Sequence, residues 1–149
     1  MTRRNLRVAV LSLFALIAAC QRVAPVQIHY GSDACDYCRM TIVDPAFAGQ
    51  LITPTGKAYR FDDPGCLRAF ATSGRIPDNE IQSAWVNDHD NPGSVLNVHA
   101  AFFVASEQIK APMNGGLAAF PSRPSADTAQ KAWGGRIEMW DEVVARGRP

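Results

Sequence analysis

The sequence predicts an α+β fold in which two β-β-α-β units of similar topology pack as one compact domain. Three observations lead there. Aromatic and β-branched runs occur twice as pairs of short strands. Each pair is followed by a helix-start signal containing proline and Asp or Ser, and then by a glycine stop. Each helix is followed by one further alternating run.

The first unit covers residues 29–88. Met40–Val43 and Phe47–Ile52 are strand-like, and Lys57–Phe61 alternates into a second strand. Asp62-Asp63-Pro64 opens a helix, since either aspartate can cap the first free N–H groups and proline suits the first helical position. Cys66, Leu67, Phe70 and Ala71 follow at helical spacing, and Gly74 stops the run. Ile81–Val86 makes the returning strand. Asn87–Gly93 favours turns at every position and reads as a linker. The second unit, residues 89–149, repeats the pattern with strands at Ala101–Ala105 and Gly116–Phe120. A helix then starts around Pro124, Ser125 and Asp127, runs to about Trp133 and ends at Gly134-Gly135. Arg136–Trp140 alternates as a last strand, with Ile137 and Met139 on its core-facing side.

An address and a tether precede the first unit. Arg3, Arg4 and Arg7 form a positive region, followed by an apolar stretch from Val8 to Ala19. That stretch is shorter than the ~20 apolar residues a membrane-spanning helix needs, so residues 1–19 read as a signal peptide. Its end, Ile17-Ala18-Ala19-Cys20, resembles the lipobox of bacterial lipoproteins, which makes Cys20 the lipidated first residue of the mature chain. Lipid on Cys20 would anchor the protein to a membrane from the periplasmic side of the cell envelope. By analogy with the enterobacterial sorting rule, Gln21 points to the outer membrane. Residues 20–28 then serve as the tether.

The full chain has 15 Lys/Arg and 14 Asp/Glu, and three of the arginines belong to the leader. What remains is slightly acidic and carries no basic stripe, which argues against nucleic-acid binding. With Cys20 bearing lipid, Cys35, Cys38 and Cys66 are left. A purely structural disulfide framework would leave one of these three unpaired, so the thiols are expected to do chemistry.

Cys35-Asp-Tyr-Cys38-Arg-Met40 places three sulfur atoms within six residues. Thiolate and thioether are soft donors that select Cu(I), whereas zinc is usually held by cysteine and histidine. Three plainer readings stand beside copper: a Cys35–Cys38 disulfide, structural or redox-active; a zinc knuckle of Cys35, Cys38, Cys66 and a histidine; and Met40 as an ordinary core side chain. Met113, in the turn-rich loop Ala111–Gly116, is a second candidate ligand because a methionine exposed there contributes little packing. Cys66 fits equally a buried small hydrophobe or a ligand. His29 lies just before the motif and can swing toward it; His89 reads as a solvated linker residue, and nothing separates His99 from a structural histidine. The chain shows no serine nucleophile elbow, no H-E-x-x-H and no phosphate-binding glycine loop, so no enzyme class is indicated.

Four strings taken together resemble the NosL family: Cys35-Asp-Tyr-Cys38-Arg-Met40; Phe61-Asp62-Asp63-x-x-Cys66; Pro112-Met113-x-Gly115-Gly116-Leu117-x-Ala119-Phe120; and Gly134-Gly135 followed by Trp140. The resemblance spans about residues 29–145. It implies a copper-chaperone lipoprotein that binds Cu(I) and is accessory to nitrous oxide reductase or a related copper enzyme, working with an ABC-type membrane complex. It also implies a fold of two β-β-α-β units. Carried onto this chain, it implies a Cu(I) site of Cys38 and Met40, with Met113 brought from the second unit and Cys35 or His29 completing it. Cys66 is left as a secondary candidate. The chain departs from the family pattern at Arg39, where glycine is usual; the sulfur spacing is kept, but the loop should be stiffer and more charged.

Overall fold

The computed structural model describes residues 24–147, so the leader and Cys20 lie outside the described residues. No described helix is long and apolar enough to cross a membrane. The first sheet contains β1 (Gly49–Ile52), β2 (Ala58–Phe61), β3 (Ser83–Asn87) and β4 (Val95–Asn97), all antiparallel, in the order β2-β1-β3-β4. Helix α1 (Pro64–Ala71) connects β2 to β3. The second sheet contains β5 (Phe102–Ala105), β6 (Leu117–Phe120) and β7 (Arg136–Glu138) in the order β6-β5-β7, also antiparallel. Helix α2 (Arg123–Trp133) joins β6 to β7, and α3 (Trp140–Gly147) follows. Two β-β-α-β units are therefore present, the first extended by a strand and the second by a helix.

Strand alternation explains how the units are joined. Along β5, Phe103 and Ala105 face one way while Phe102 and Val104 face the other. Leu117 and Ala119 of β6 join the first pair, and Ala118 and Phe120 join the second. One face of the second sheet thus packs under α2 with Ala126, Ala129 and Trp133. The other merges with Leu51, Phe61, Leu67, Phe70 and Val86 of the first unit, and with Trp140 and Val143 of α3. Helix α1 packs against β6 and α3 as well as against its own sheet. A sheet buried on both faces needs apolar side chains at consecutive positions, and Phe102–Ala105 and Leu117–Phe120 supply them.

Several expectations are corrected at element ends. Met40–Val43 is not a strand: a single bridge, Ala34↔Thr41, occupies it. The main chain of Ile42 is taken up by Asp33 and Gly31, which closes the loop on itself. Asn87–Gly93 is a hairpin loop between β3 and β4 rather than a link between units, closed by the Asp88 N–H on the Ser94 carbonyl. Its His89 is only partly exposed; the ring sits among Phe47, Phe120 and Trp133 at centroid distances of 5.2, 5.6 and 5.2 Å, with Nδ1 3.1 Å from the Asp90 carboxylate. The last strand stops at Glu138, and the inward positions are Glu138 and Trp140 rather than Met139. Arg136 and Arg146 both pair with the Glu138 carboxylate, so a charged side chain occupies a place that hydropathy alone assigns to an apolar one. The end of the tether also docks: Ile28 is buried, and the Gln50 amide exchanges two hydrogen bonds with the Val26 main chain.

The units come into close backbone contact at two glycines. A Cβ on Gly65, in the first turn of α1, would lie 2.9 Å from the Gly115 Cα. That neighbour is backbone and cannot rotate away, so any side chain at Gly65 must push the 111–116 loop outward. Gly65→Ala should lower the unfolding free energy by about 1–3 kcal/mol, the usual cost of overpacking a tight contact. Urea denaturation of the parent and the variant measures this.

Candidate metal centre

Residues 33–42 form a tight knuckle. The Cys35 N–H donates to the Met40 carbonyl at 2.8 Å, and the Arg39 N–H returns to the Cys35 carbonyl at 3.0 Å. The Cys38 N–H points at Cys35 Sγ, 3.5 Å away. Turning the chain this sharply requires a left-handed residue after Cys38, and Arg39 takes it at φ +68°. Glycine holds this conformation freely, whereas an L side chain pays for it in strain, ~1–2 kcal/mol. Asp36 pins the knuckle to the first sheet: its N–H donates to the Arg60 carbonyl, and its carboxylate accepts the Arg60 N–H, both at 2.8 Å.

Cys66 approaches from the other side. Asp63 is the N-cap of α1, and its Oδ1 accepts the Cys66 N–H at 2.8 Å, with Pro64 at the first helical position. This fixes Cys66 in the first turn, with its thiol against the knuckle. The sulfur atoms of Cys35, Cys38 and Cys66 all lie within 4.8 Å of one another, and all three cysteines are free. No histidine or carboxylate belongs to this group among the described residues.

Burial grades the three thiols. Cys35 is fully buried and Cys66 is 4% exposed, while Cys38 is intermediate. The neighbouring Cys66 thiol, and after it the nearby main-chain amides led by that of Cys38 at 3.5 Å, favour the charged form of Cys35. Against the opposing effect of burial, these contacts bring the Cys35 pKa down to about 5. The same contact with Cys35, together with burial, pushes the Cys66 thiol up. Burial likewise raises Cys38. The three thiols therefore titrate as one group, with the first proton leaving most easily from Cys35. A soft cation bound by all three would displace the remaining protons.

The methionines reach the surface. Met40 is 59% exposed and Met113 is 45% exposed. The Met113 N–H donates to Asp63 Oδ2 at 3.0 Å, so one buried carboxylate fixes both Cys66 and the Met113 loop. Met113, Cys66 and Tyr37 line a common cleft of about 370 Å³ that Gly65, Gly115 and Arg146 help to close. The Tyr37 ring forms its wall, with the Arg75 guanidinium 5.4 Å from its centroid. His29 is placed elsewhere, largely exposed and 3.5 Å from the Asp33 carboxylate. His99 faces Asp141 at 3.8 Å. The structure therefore gathers Cys35, Cys38 and Cys66, sets Met113 beside them and leaves His29 outside the group.

A family model for NosL matches residues 25–146. The chain belongs to the NosL family. Among its relatives, the copper-binding lipoprotein NosL of Stutzerimonas stutzeri is 24% identical over 139 residues, covering 83% of this chain and 67% of that one. The crystal structure of the copper chaperone NosL from Shewanella denitrificans superposes with a TM-score of 0.70 at 22% identity. It covers 79% of this chain and 94% of that one, and so shares the fold. Two features of this NosL-family chain were not assigned from sequence. One is the double role of Asp63. The other is the burial of Asp62, which is 3% exposed beside Cys35. The Phe61-Asp62-Asp63 string marked the place without showing which carboxylate did what.

Burial, with Asp63 and Cys35 nearby, raises the Asp62 pKa from 3.8 to about 6. A raised carboxyl pKa means the folded state holds the proton more firmly than the unfolded state. Ionising Asp62 therefore costs stability above about pH 6, and that cost vanishes below pH 3.8. Asp62→Asn should raise the melting temperature at pH 7.5 and leave it nearly unchanged near pH 4. Thermal melts of the reduced protein across that range check the sign.

Proposed function

We propose that this chain is a Cu(I) chaperone of the cell envelope, held on the periplasmic side by lipid on Cys20 and favouring the outer membrane. It delivers copper for the maturation of nitrous oxide reductase or a related copper enzyme, with an ABC-type membrane complex as partner. The observation that carries this reading is the donor set: three thiol sulfurs within 4.8 Å, no nitrogen or oxygen ligand in the group, and Met113 in the adjoining cleft. Soft donors without imidazole favour Cu(I) over zinc, whose structural sites want four ligands. The relatives named as a copper-binding lipoprotein and a copper chaperone support the same metal.

Handover follows from the graded exposure. Cys38, with Met40 and Met113 on the open side and Cys35 behind it, holds copper where a partner's ligand can add before the last bond breaks. Thioethers bind weakly enough to be displaced. A thiol–disulfide enzyme is disfavoured by the same geometry. Such an enzyme needs its attacking thiolate at the surface, and here the low-pKa thiol, Cys35, is fully buried while the accessible one, Cys38, is raised.

Competition between the reduced domain and a coloured Cu(I) chelator is the test. The parent should bind one Cu(I) and prefer it to Zn(II). Cys38→Ser should bind at least ~100-fold more weakly, about 2.8 kcal/mol. Replacing both Met40 and Met113 by serine should weaken Cu(I) binding at least ~10-fold, about 1.4 kcal/mol. A parent that binds Zn(II) more tightly than Cu(I), or a Cys38→Ser variant that binds as the parent does, would contradict the proposal.

A further inference from the structure

We infer that an arginine-lined groove beside Met113 receives an acidic peptide segment of the protein that exchanges copper with this chain. The inference rests on the copper reading for its purpose, while the groove itself stands on three arginines outside the donor set. The cleft that holds Met113 and Cys66 also has Arg68 and Arg146 in its wall. A second cavity of about 280 Å³ shares Asn114, Gly115 and Arg146 with it and reaches Arg136. Arg68, Arg146 and Arg136 therefore follow one another along one groove that begins at the methionine.

The packing of α1 on α3 sets the first two arginines side by side. A Cβ on Gly147, at the end of α3, would lie 3.0 Å from Arg68 Cδ and 3.2 Å from its Nε. The Arg68 stem is thus wedged against the residue that follows Arg146. Its Nε–H is covered and has no protein acceptor, and the guanidinium makes no ion pair among the described residues. Covering a donor without an acceptor works against folding. A carboxylate entering the cleft meets a guanidinium whose donors are all unspent.

The acids already present leave most of these donors open. Asp63 commits its two oxygens to the Cys66 and Met113 amides. Glu138 is buried and takes only Nε of Arg136 and Nη2 of Arg146. Glu107, beside the second cavity, is exposed. A guanidinium carries five donors in a planar fork that pairs with a carboxylate through two parallel bonds. Three forks spaced along a groove fit successive acidic side chains of an extended segment. One small anion would need them to converge on a point. Docking there brings the end of the peptide to Met113, so a ligand carried by the partner arrives beside the metal, and the opposite charges speed the encounter.

Fluorescence anisotropy with a labelled peptide of alternating glutamate and serine tests this on the reduced, metal-free protein. The parent should bind it at low salt and release it as salt rises. It should bind the glutamine counterpart at least ~10-fold more weakly. Arg68→Gln and Arg146→Gln should each weaken binding at least ~10-fold while keeping the parent's circular dichroism. Arg68 has no ion pair to lose, so its variant probes the groove without disturbing Glu138. Arg123, paired with Asp127 on α2, lies outside the groove, and Arg123→Gln should bind as the parent does. Bound peptide should also shift the methyl NMR signal of Met113. Equal binding of the glutamate and glutamine peptides, or a folded Arg68→Gln that binds as the parent does, overturns the groove. Displacement of the peptide by an equal concentration of inorganic phosphate assigns the arginines to a free anion and overturns it too. Because copper is absent from the measurement, a protein that binds Cu(I) but not the peptide loses only the groove. One that binds the peptide but not Cu(I) loses only the copper reading.

Discussion

Both carboxylate oxygens of Asp63 are engaged by main-chain amides from opposite halves of the molecule. Oδ1 accepts the Cys66 N–H in the first turn of α1, and Oδ2 accepts the Met113 N–H from the second unit's loop. The group is fully buried, where an unmatched N–H costs ~1–3 kcal/mol. Losing this side chain would therefore release two elements at once. The helix cap, the placement of the third thiol and the approach of the methionine loop are one problem with one solution. The Gly65–Gly115 contact is its steric counterpart, since the carboxylate can span both units only where the two backbones come this close.

The knuckle supplies the other half of the site and works under strain. A glycine at position 39 would hold the left-handed turn without cost, yet this chain uses Arg39 and places a charge, 75% exposed, on the rim. The turn persists because the Cys35–Met40 and Arg39–Cys35 hydrogen bonds and the Asp36–Arg60 pair determine its shape from several sides. Its consequence is chemical. The Cys66 thiol first, and the Cys38 amide after it, lower the pKa of Cys35 in a place solvent does not reach, so this sulfur is offered to a metal and not to a passing disulfide.

Much of this was legible in the sequence where local chemistry decides the outcome. The Asp-Asp-Pro string announced α1 and its cap, an alternating run located β2, and aromatic and β-branched runs located β1, β5 and β6. The NosL resemblance stood on motifs that the family match over residues 25–146 bears out. Features fixed by partners distant in sequence were not legible. β4 is a strand only because β3 offers it an edge, so Asn87–Gly93 looked like a linker. Glu138 faces inward only because Arg136 and Arg146 meet it there, so Met139 was taken for the core residue. His89 looked solvated until three aromatic rings closed around it. Cys66 carried the same ambiguity: on a helical wheel it is an apolar position, and only the tertiary fold brings the Cys35–Cys38 knuckle over it.

The most direct measurement is X-ray absorption at the copper K-edge on the reduced protein loaded with one equivalent of Cu(I). A site built from these residues should give a first shell of sulfur alone at ~2.3 Å, with the edge shape of low-coordinate Cu(I). A shell containing imidazole nitrogen at ~2.0 Å, with the outer-shell scattering of a histidine ring, would place the metal elsewhere and contradict a sulfur-only site.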